Sequence, residues 1–378
     1  MKNIRIFGII LILSFLVSSC LEYQFTTRIN SDGSCERIMT VRGDSSDLMN
    51  GIIPVPRDSA WTIKIVKMQG EGKKYELTAT AKFSKVEDLN RYFTRSADSM
   101  PTVSVKSALK KKFRWFYTYL VYTETYQAFT PYRKVPVDKY LKDDEIKILF
   151  ADDNKLIYIP DQDILRLRKD SLEKSILNHA DSLKMEKKKE DIENRYNNWL
   201  IASLFEEVYS IVLDRAAKMN EPGINVKELL SKKDTLFNTI KKSIQEKTNL
   251  DDQGSNSWSL VVFKLIAPYL PVELKTRSES LDSASFIALD KRYEKMQSVT
   301  INTYSSQVAM PGLITSTNAG SMNGNLLSWE VEPGEFFFKD DVLMAEARVA
   351  NRWTFWTTGI LVLVLTGLLI GGTLGKRH

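Results

Sequence analysis

Carboxylates in close pairs are the residues of this chain whose spacing suggests acid–base or metal chemistry. They lie at Asp143-Asp144, Asp152-Asp153, Asp161 and Asp163, Asp251-Asp252, and Asp340-Asp341. None of these pairs has the spacing of a calcium-binding loop, and paired carboxylates in turns and at helix starts are ordinary caps. Two carboxylates distant in sequence could still meet in the fold as a glycosidase pair, which keeps an envelope glycan-acting enzyme as an alternative.

Other catalytic signatures are not found in the sequence. There is no G-x-S-x-G nucleophile motif, no S-x-x-K with its companion motifs, and no P-loop or dinucleotide fingerprint. Two histidines, His179 and His378, and two cysteines, Cys20 and Cys35, are too few for a zinc site. We therefore expect a non-enzymatic protein with no catalytic residues, no metal and no cofactor.

The first twenty residues have the pattern of an export signal. Lys2 and Arg5 precede an apolar stretch from Ile6 to Val17, which is too short to prefer spanning a bilayer. Val17-Ser18-Ser19-Cys20 then resembles the lipobox of bacterial lipoproteins, with Val17 where leucine is commonest. The resemblance implies that residues 1–19 are a signal peptide and that Cys20 carries a diacylglyceryl group. The alternative is an uncleaved signal anchor with an incidental cysteine.

The C-terminal end has the pattern of a membrane span. Residues 353–375 are free of charge and match the roughly 20 apolar residues that cross a bilayer as a helix. Trp353, Phe355 and Trp356 lie where an aromatic belt is expected. After an export signal, this helix would leave residues 376–378 in the cytoplasm and the folded part outside. A helical span indicates the cytoplasmic membrane, since outer-membrane spans are barrels. A buried core helix is the alternative.

Charge and cysteine content restrict the partners. The chain has 53 Lys and Arg against 47 Asp and Glu, a net charge of +6. This mild excess does not indicate nucleic-acid binding, and it suits a surface that faces anionic lipid headgroups. If Cys20 is lipidated, Cys35 is a lone thiol and the chain forms no internal disulfide.

Hydrophobic periodicity divides the chain between its ends into three parts. Alternation predicts strands within residues 20–150, beginning with a hairpin of Glu22–Ile29 and Cys35–Val41 around a polar turn. Helical spacing sets in from Asp161, so residues 151–297 are expected to be a helical insertion. Strands resume over residues 298–352, starting with 298–304.

The three parts predict one α+β domain. We expect an antiparallel sheet built from the N- and C-terminal segments, with a helical insertion and one C-terminal transmembrane helix. This arrangement would bring the beginning of the first strand and the end of the last strand to the same membrane surface.

The strand predicted over residues 113–126 is rich in aromatic residues. It is expected to follow a turn at Lys110-Lys111-Lys112, and apolar residues fall on both of its faces. Such a strand is covered on both sides as sheet core, or else it lines a groove. In the second interpretation, Trp115, Tyr117 and Tyr119 would face a ligand.

Short motifs near the C-terminus suggest a family. They are Met310-Pro311-Gly312-Leu313, Asn318-Ala319-Gly320, Gly324-Asn325 and Trp329-Glu330-Val331-Glu332. Followed by a strand and a span, they resemble the closing module of LppM-like bacterial lipoproteins, which also begin at a lipobox cysteine and an early hairpin. The resemblance covers roughly the first 130 and last 80 residues. It implies a surface-anchored, lipid-interacting α+β domain, and it does not extend to the helical insertion.

Two hypotheses from different classes follow from these patterns. The first is a membrane-anchored envelope lipoprotein that binds lipid, glycolipid or a membrane partner near the bilayer surface. The second is a scaffold or assembly factor that docks a partner protein through the helical insertion. The expected partners are thus membrane lipid, bound covalently at Cys20, and either a further lipid or an envelope protein.

Overall fold

The structure, a computed structural model, describes most of the chain. The described residues are 21–44, 48–49, 51–69, 75–94, 102–130, 132, 134–150, 156–159, 164–167, 179–219, 224–246, 258–281 and 283–374. The predicted signal peptide with Cys20, the tail 376–378, and three of the carboxylate pairs (Asp152-Asp153, Asp161 with Asp163, Asp251-Asp252) lie outside them.

Most strands come from the two ends of the chain, and two short ones lie in its middle. They are β1 (Glu22–Ile29), β2 (Cys35–Gly43), β3 (Thr62–Lys67), β4 (Tyr75–Phe83), β5 (Val105–Phe113), β6 (Tyr117–Tyr126), β7 (Leu156–Ile159), β8 (Ile164–Leu167), β9 (Thr303–Ala309), β10 (Leu313–Thr317), β11 (Ser321–Asn323), β12 (Leu326–Val331) and β13 (Asp341–Ala350).

Helices lie mainly in the middle of the chain and at its C-terminal end. They are α1 (Asn90–Phe93), α2 (Asp143–Phe150), α3 (His179–Met219), α4 (Val226–Glu246), α5 (Trp258–Ile266), α6 (Val272–Leu281), α7 (Ser283–Ile301), α8 (Pro333–Phe336) and α9 (Arg352–Leu374). Short 3₁₀ turns cover Val86–Leu89, Val137–Lys139 and Ala267–Tyr269.

The expected α+β class is confirmed, but the single antiparallel sheet is wrong. Seven strands form one sheet in the order β11-β12-β9-β1-β2-β4-β3, and four form a second in the order β10-β13-β6-β5. In the first sheet β9 runs parallel to β1, so that sheet is mixed, whereas the second is antiparallel throughout. The parallel pair arises because α7 ends beside the beginning of β1, so β9 must leave in the same direction as β1.

The two sheets pack face to face around one core. Along β2 and β6 alternate residues are buried, as expected for strands with one face on a core. Arg37 of β2 and Ser306 of β9 both reach Glu124 of β6 across the gap, which shows that the inner faces meet. The early hairpin is confirmed: Gly33, with a φ of 88°, completes its turn where a residue with a Cβ would be strained.

The helical insertion begins later than its pattern predicted. Leu156–Ile159 and Ile164–Leu167 pair as a two-stranded hairpin, and α3 starts only at His179. Short segments with three or four apolar residues fit a strand pair as well as one helical face, so periodicity alone did not separate the two. The strand expected over residues 298–304 is also wrong in its first half, because α7 continues to Ile301 with Val299 fully buried.

The helices pack on the end of the two-sheet domain where β1 and β9 begin. Trp199 of α3 is fully buried, and its indole N–H donates to the carbonyl of Val135 at 3.0 Å. Its ring also meets Phe338, at 5.1 Å between centroids, from the segment that leads into β13. The helical block is therefore fixed to the sheets by core packing.

The beginning of β1 and the end of β13 lie at opposite ends of the domain. Tyr126, which ends β6, meets Phe336, which in turn meets Tyr304, and Tyr304 stacks on Tyr23 of β1. Tyr117, at the other end of β6, pairs with Ala350 beside the start of α9. The expectation that both ends of the sheet lie at one surface is therefore wrong.

Strand geometry gives the distance between these ends. From Tyr126 to Tyr117 the strand takes nine residue steps, and Leu21 lies two steps beyond Tyr23 in the opposite direction. At about 3.3 Å per residue, Leu21 is about 35–40 Å from the end of the sheets at which α9 begins. Leu21 is held there, because its backbone N–H donates to the Asn302 side chain at 2.8 Å.

Candidate membrane-interface site

The hairpin of β5 and β6 ends in a turn of two aromatic residues. Backbone hydrogen bonds of 2.8 Å and 3.1 Å join Arg114 and Tyr117, leaving Trp115 and Phe116 at the tip. The turn predicted at Lys110-Lys111-Lys112 is wrong, because these lysines continue β5 as an exposed strand end. Two-residue turns normally carry Asn or Gly, so a Trp-Phe tip indicates a role other than turn formation.

The tip contacts the beginning of α9 through an aromatic cluster. We call Phe113, Trp115, Phe116, Trp353 and Phe355 the aromatic collar. Trp353 lies 6.3 Å from Phe113 and 5.7 Å from Trp115, and Phe355 lies 4.9 Å from Phe116, between ring centroids. The indole N–H of Trp115 also donates to the Thr358 hydroxyl at 2.8 Å. The first two turns of α9 are thus attached to the hairpin.

Asn351 joins β13, α9 and the hairpin tip. Its side-chain N–H donates to the carbonyls of Arg114 and Trp115, and its side-chain oxygen accepts from the Thr118 hydroxyl at 2.8 Å. Its own carbonyl accepts from the backbone N–H and the hydroxyl of Thr354, which caps the first turn of α9. Sequence reasoning missed this residue, although its place between a strand and an apolar helix was a signal.

The collar lies at the start of a helix that could cross a bilayer. Among the described residues, α9 is long and apolar enough for a span, by length and composition. Its apolar side chains are exposed from Ile360 to Leu369, and Trp356 is 76% exposed. Exposed tryptophans at the start of an apolar helix are typical of the membrane–water interface.

Five cations lie on the segments that carry the collar or on the sheet face next to them. We call Lys110, Lys112, Arg114, Arg348 and Arg352 the basic rim. The Arg348 guanidinium lies 5.0 Å above the Tyr117 ring, a cation–π distance. Strand register sets Tyr119 between Lys112 and Arg348 on the outer face of the four-stranded sheet.

The structure brings two of the three predicted ligand-facing aromatics to the collar. Trp115 is in it, and Tyr117 contacts Phe355 at 6.1 Å between centroids. Tyr119 lies one step further along the outer face, among the basic rim. All three therefore face the start of α9 or the sheet surface next to it. Cys20, the predicted lipidation site, lies outside the described residues.

A buried ion pair occupies the core between the sheets. Arg37 and Glu124 are both fully buried, 2.6 Å apart, and Glu124 also accepts from Tyr122 and Ser306. Burial opposes ionisation of Glu124, but the Arg37 charge and these hydrogen bonds outweigh it and lower the pKa of Glu124. The Arg37 guanidinium also lies 4.2 Å above the Phe25 ring. The pair is closed to solvent and joins the two sheets.

Other candidates for chemistry are separated from one another. Burial raises the pKa of the Cys35 thiol to about 11, which makes it a poor nucleophile. Asp143 pairs with Lys339 at 2.5 Å on the surface, whereas Asp340 accepts from the Ala128 backbone N–H. In the part of the chain that the structure covers, no three His, Cys, Asp or Glu side chains lie close enough together to hold a metal.

Comparison with known proteins gives no relative. No family model, no curated protein and no solved structure matches this chain.

Proposed function

We propose that this protein is a non-enzymatic envelope lipoprotein, anchored in the cytoplasmic membrane with its folded domain outside the cytoplasm, that binds lipid at the bilayer surface. The aromatic collar carries this proposal. It joins an exposed Trp-Phe turn to the start of an apolar helix, so that both would lie at the depth of the headgroups. Tryptophan is favoured at that depth because its ring is apolar and its N–H is polar.

Tryptophan quenching by brominated lipids tests whether the hairpin tip enters the bilayer. The full chain, reconstituted in vesicles, should lose part of its fluorescence, and Trp115→Phe should lower the quenched fraction. Trp61→Phe is the matched control: Trp61 is buried in the sheets, so its removal should raise the quenched fraction. Equal quenched fractions in the wild type and Trp115→Phe would reject lipid contact by the tip.

A diacylglyceryl group on Cys20 remains part of the proposal on the basis of the lipobox resemblance. The position of Leu21 limits where that group can lie, since one peptide step spans only about 3.8 Å. With β1 in the sheet and the hairpin at the bilayer, acyl chains on Cys20 would begin far from the membrane that holds α9. Labelled palmitate should enter the wild type and be lost in Cys20→Ser. Equal labelling of both would reject Cys20 as the acylated residue.

A scaffold function is the second candidate, and the position of the helical block favours it. The block lies at the end of the domain remote from α9, where it would project from the membrane. It exposes apolar side chains at Tyr269 and Val272 around the corner between α5 and α6. Crosslinking in cells should capture a partner that Tyr269→Ser with Val272→Ser loses. A partner retained by this variant would count against docking at that corner.

A further inference from the structure

We propose that the basic rim binds the phosphate groups of anionic phospholipids in the leaflet where α9 begins. This rests on the proposed function, because it requires the aromatic collar to lie at the bilayer surface. It adds the lipid class, and the cations that select it, to the apolar contact.

Strand alternation directs the rim outward. Val105 and Ser107 of β5 are buried while Lys106 is exposed, so Lys110 and Lys112 share the outer face with Lys106. From Lys110 to Phe116 every residue is exposed. The strand end thus presents cations next to the aromatic tip without burying them in the fold.

The strand register aligns rim cations of β5 and β13 on either side of β6. Lys112 lies opposite Tyr119, and Tyr119 lies opposite Arg348, which forms a row of cation, phenol and cation across β5, β6 and β13. Arg114 in the turn and Arg352 at the start of α9 complete the rim on the side of the collar. A phosphate here would meet guanidinium and ammonium donors together with a tyrosine hydroxyl.

One carboxylate, that of Glu346, shares the outer face with the five rim cations and leaves them with an excess of positive charge. Glu346, on the same face of β13, accepts from the Thr315 hydroxyl at 2.8 Å. Lys111 turns the other way and donates to the backbone carbonyl of Asp32, so it is not part of the rim. Within the described part of the chain, no ion pair involves any of the five rim cations. Their charge is thus available to a phosphate.

The bilayer is a better occupant of this surface than an acidic protein. The rim is continuous with the collar and with the exposed apolar side chains of α9, so the same membrane that accepts the helix brings its headgroups to the cations. Each cation near an anionic surface strengthens the attraction by about fivefold, and salt weakens it over a Debye length.

Spin-labelled lipids measure this selectivity on the full chain. The reconstituted protein is given spin-labelled phosphatidylglycerol or phosphatidylcholine, and the motionally restricted fraction of each lipid gives their relative affinity. We expect a severalfold preference for phosphatidylglycerol that falls at high salt and is lost in Lys110→Gln with Lys112→Gln and Arg114→Gln. The control variant, Lys64→Gln with Lys67→Gln and Lys291→Gln, removes three exposed charges elsewhere and should keep the preference.

The outcomes separate this inference from the proposed function. If the protein restricts lipid motion but shows no preference for phosphatidylglycerol, the rim does not select anionic headgroups, although the membrane anchor stands. A preference that survives in the triple rim variant also overturns it. A preference abolished by inorganic phosphate, but not by chloride at equal ionic strength, assigns the rim to a free anion instead. No restricted lipid at all rejects the proposed function itself.

Discussion

At the scale of residues, the most consequential pair is Arg37 with Glu124. Both side chains are fully buried, so removal of one charge leaves the other without a partner in the core. Breaking such a pair destabilises a protein by about 3–5 kcal/mol, whereas an exposed pair contributes about 0–1 kcal/mol. The pair also joins strands from both sheets, so its loss should be felt across the domain.

Glu124→Gln should therefore lower the free energy of unfolding much more than Glu36→Gln. Glu36 pairs with Arg28, which is 60% exposed, at the surface of the seven-stranded sheet, and it serves as the matched control. Denaturant unfolding of the full chain in detergent should show a loss of about 3 kcal/mol for Glu124→Gln and below 1 kcal/mol for Glu36→Gln. Arg37→Met added to Glu124→Gln should recover part of the loss. Equal losses in the two single variants would contradict a buried pair.

A second carboxylate predicts how stability depends on pH. Arg195 of α3 forms a two-bond contact with Glu145 of α2, at 2.8 Å and 2.7 Å. These hydrogen bonds lower the pKa of Glu145 to about 2, whereas an unfolded glutamate has a pKa of about 4.3. Because the folded pKa is the lower one, this contribution is complete above about pH 4.3 and is lost as the pH falls towards 2.

Glu145→Gln should remove that part of the acid dependence. The midpoint temperature of thermal unfolding, measured from pH 6 down to pH 2, should fall less steeply for the variant than for the wild type. The two curves should converge at the acid end. Parallel curves over the whole range would mean that the contact between Arg195 and Glu145 does not form in solution.

At the scale of elements, the attachment of α9 to the hairpin depends on Asn351. Asn351→Ala removes two donated bonds and one accepted bond between β13, the turn and α9. We expect faster hydrogen exchange at residues 114–118 and in the first turn of α9, with little change in the rest of β13. Asn325→Ala is the matched control, since Asn325 donates one side-chain bond to the Gly312 carbonyl in another turn. Unchanged exchange in Asn351→Ala would reject the attachment.

Alternation and helical spacing were enough to predict most of these elements. β1 was predicted with its observed bounds, because its alternation extends over the whole element, and α4 and α5 lie within the segment predicted to be helical. The hairpin turn was misplaced because a lysine run resembles a turn by polarity, although lysines also suit an exposed strand end. Asn351 and the pair of Arg37 with Glu124 depend on contacts between distant segments, which a single sequence does not reveal.

At the scale of the whole molecule, the two proposals use opposite ends of the fold. The collar and the basic rim lie where α9 begins, and the helical block and Leu21 lie at the other end of the sheets. A domain attached to the membrane through the collar would stand upright and hold the helical block away from the bilayer. This orientation unites the lipid-binding and scaffold proposals, because each uses a different end.

The height of each end above the bilayer tests this orientation most directly. Lys112→Cys and Thr303→Cys, each combined with Cys20→Ser, place labels at the hairpin and beside Leu21, and the native Cys35 is too buried to react. Energy transfer to a lipid-bound acceptor should place the label at residue 112 in the headgroup layer and the label at residue 303 about 25 Å further away. Two labels at the same height would show that the domain lies on its side, and would contradict the account.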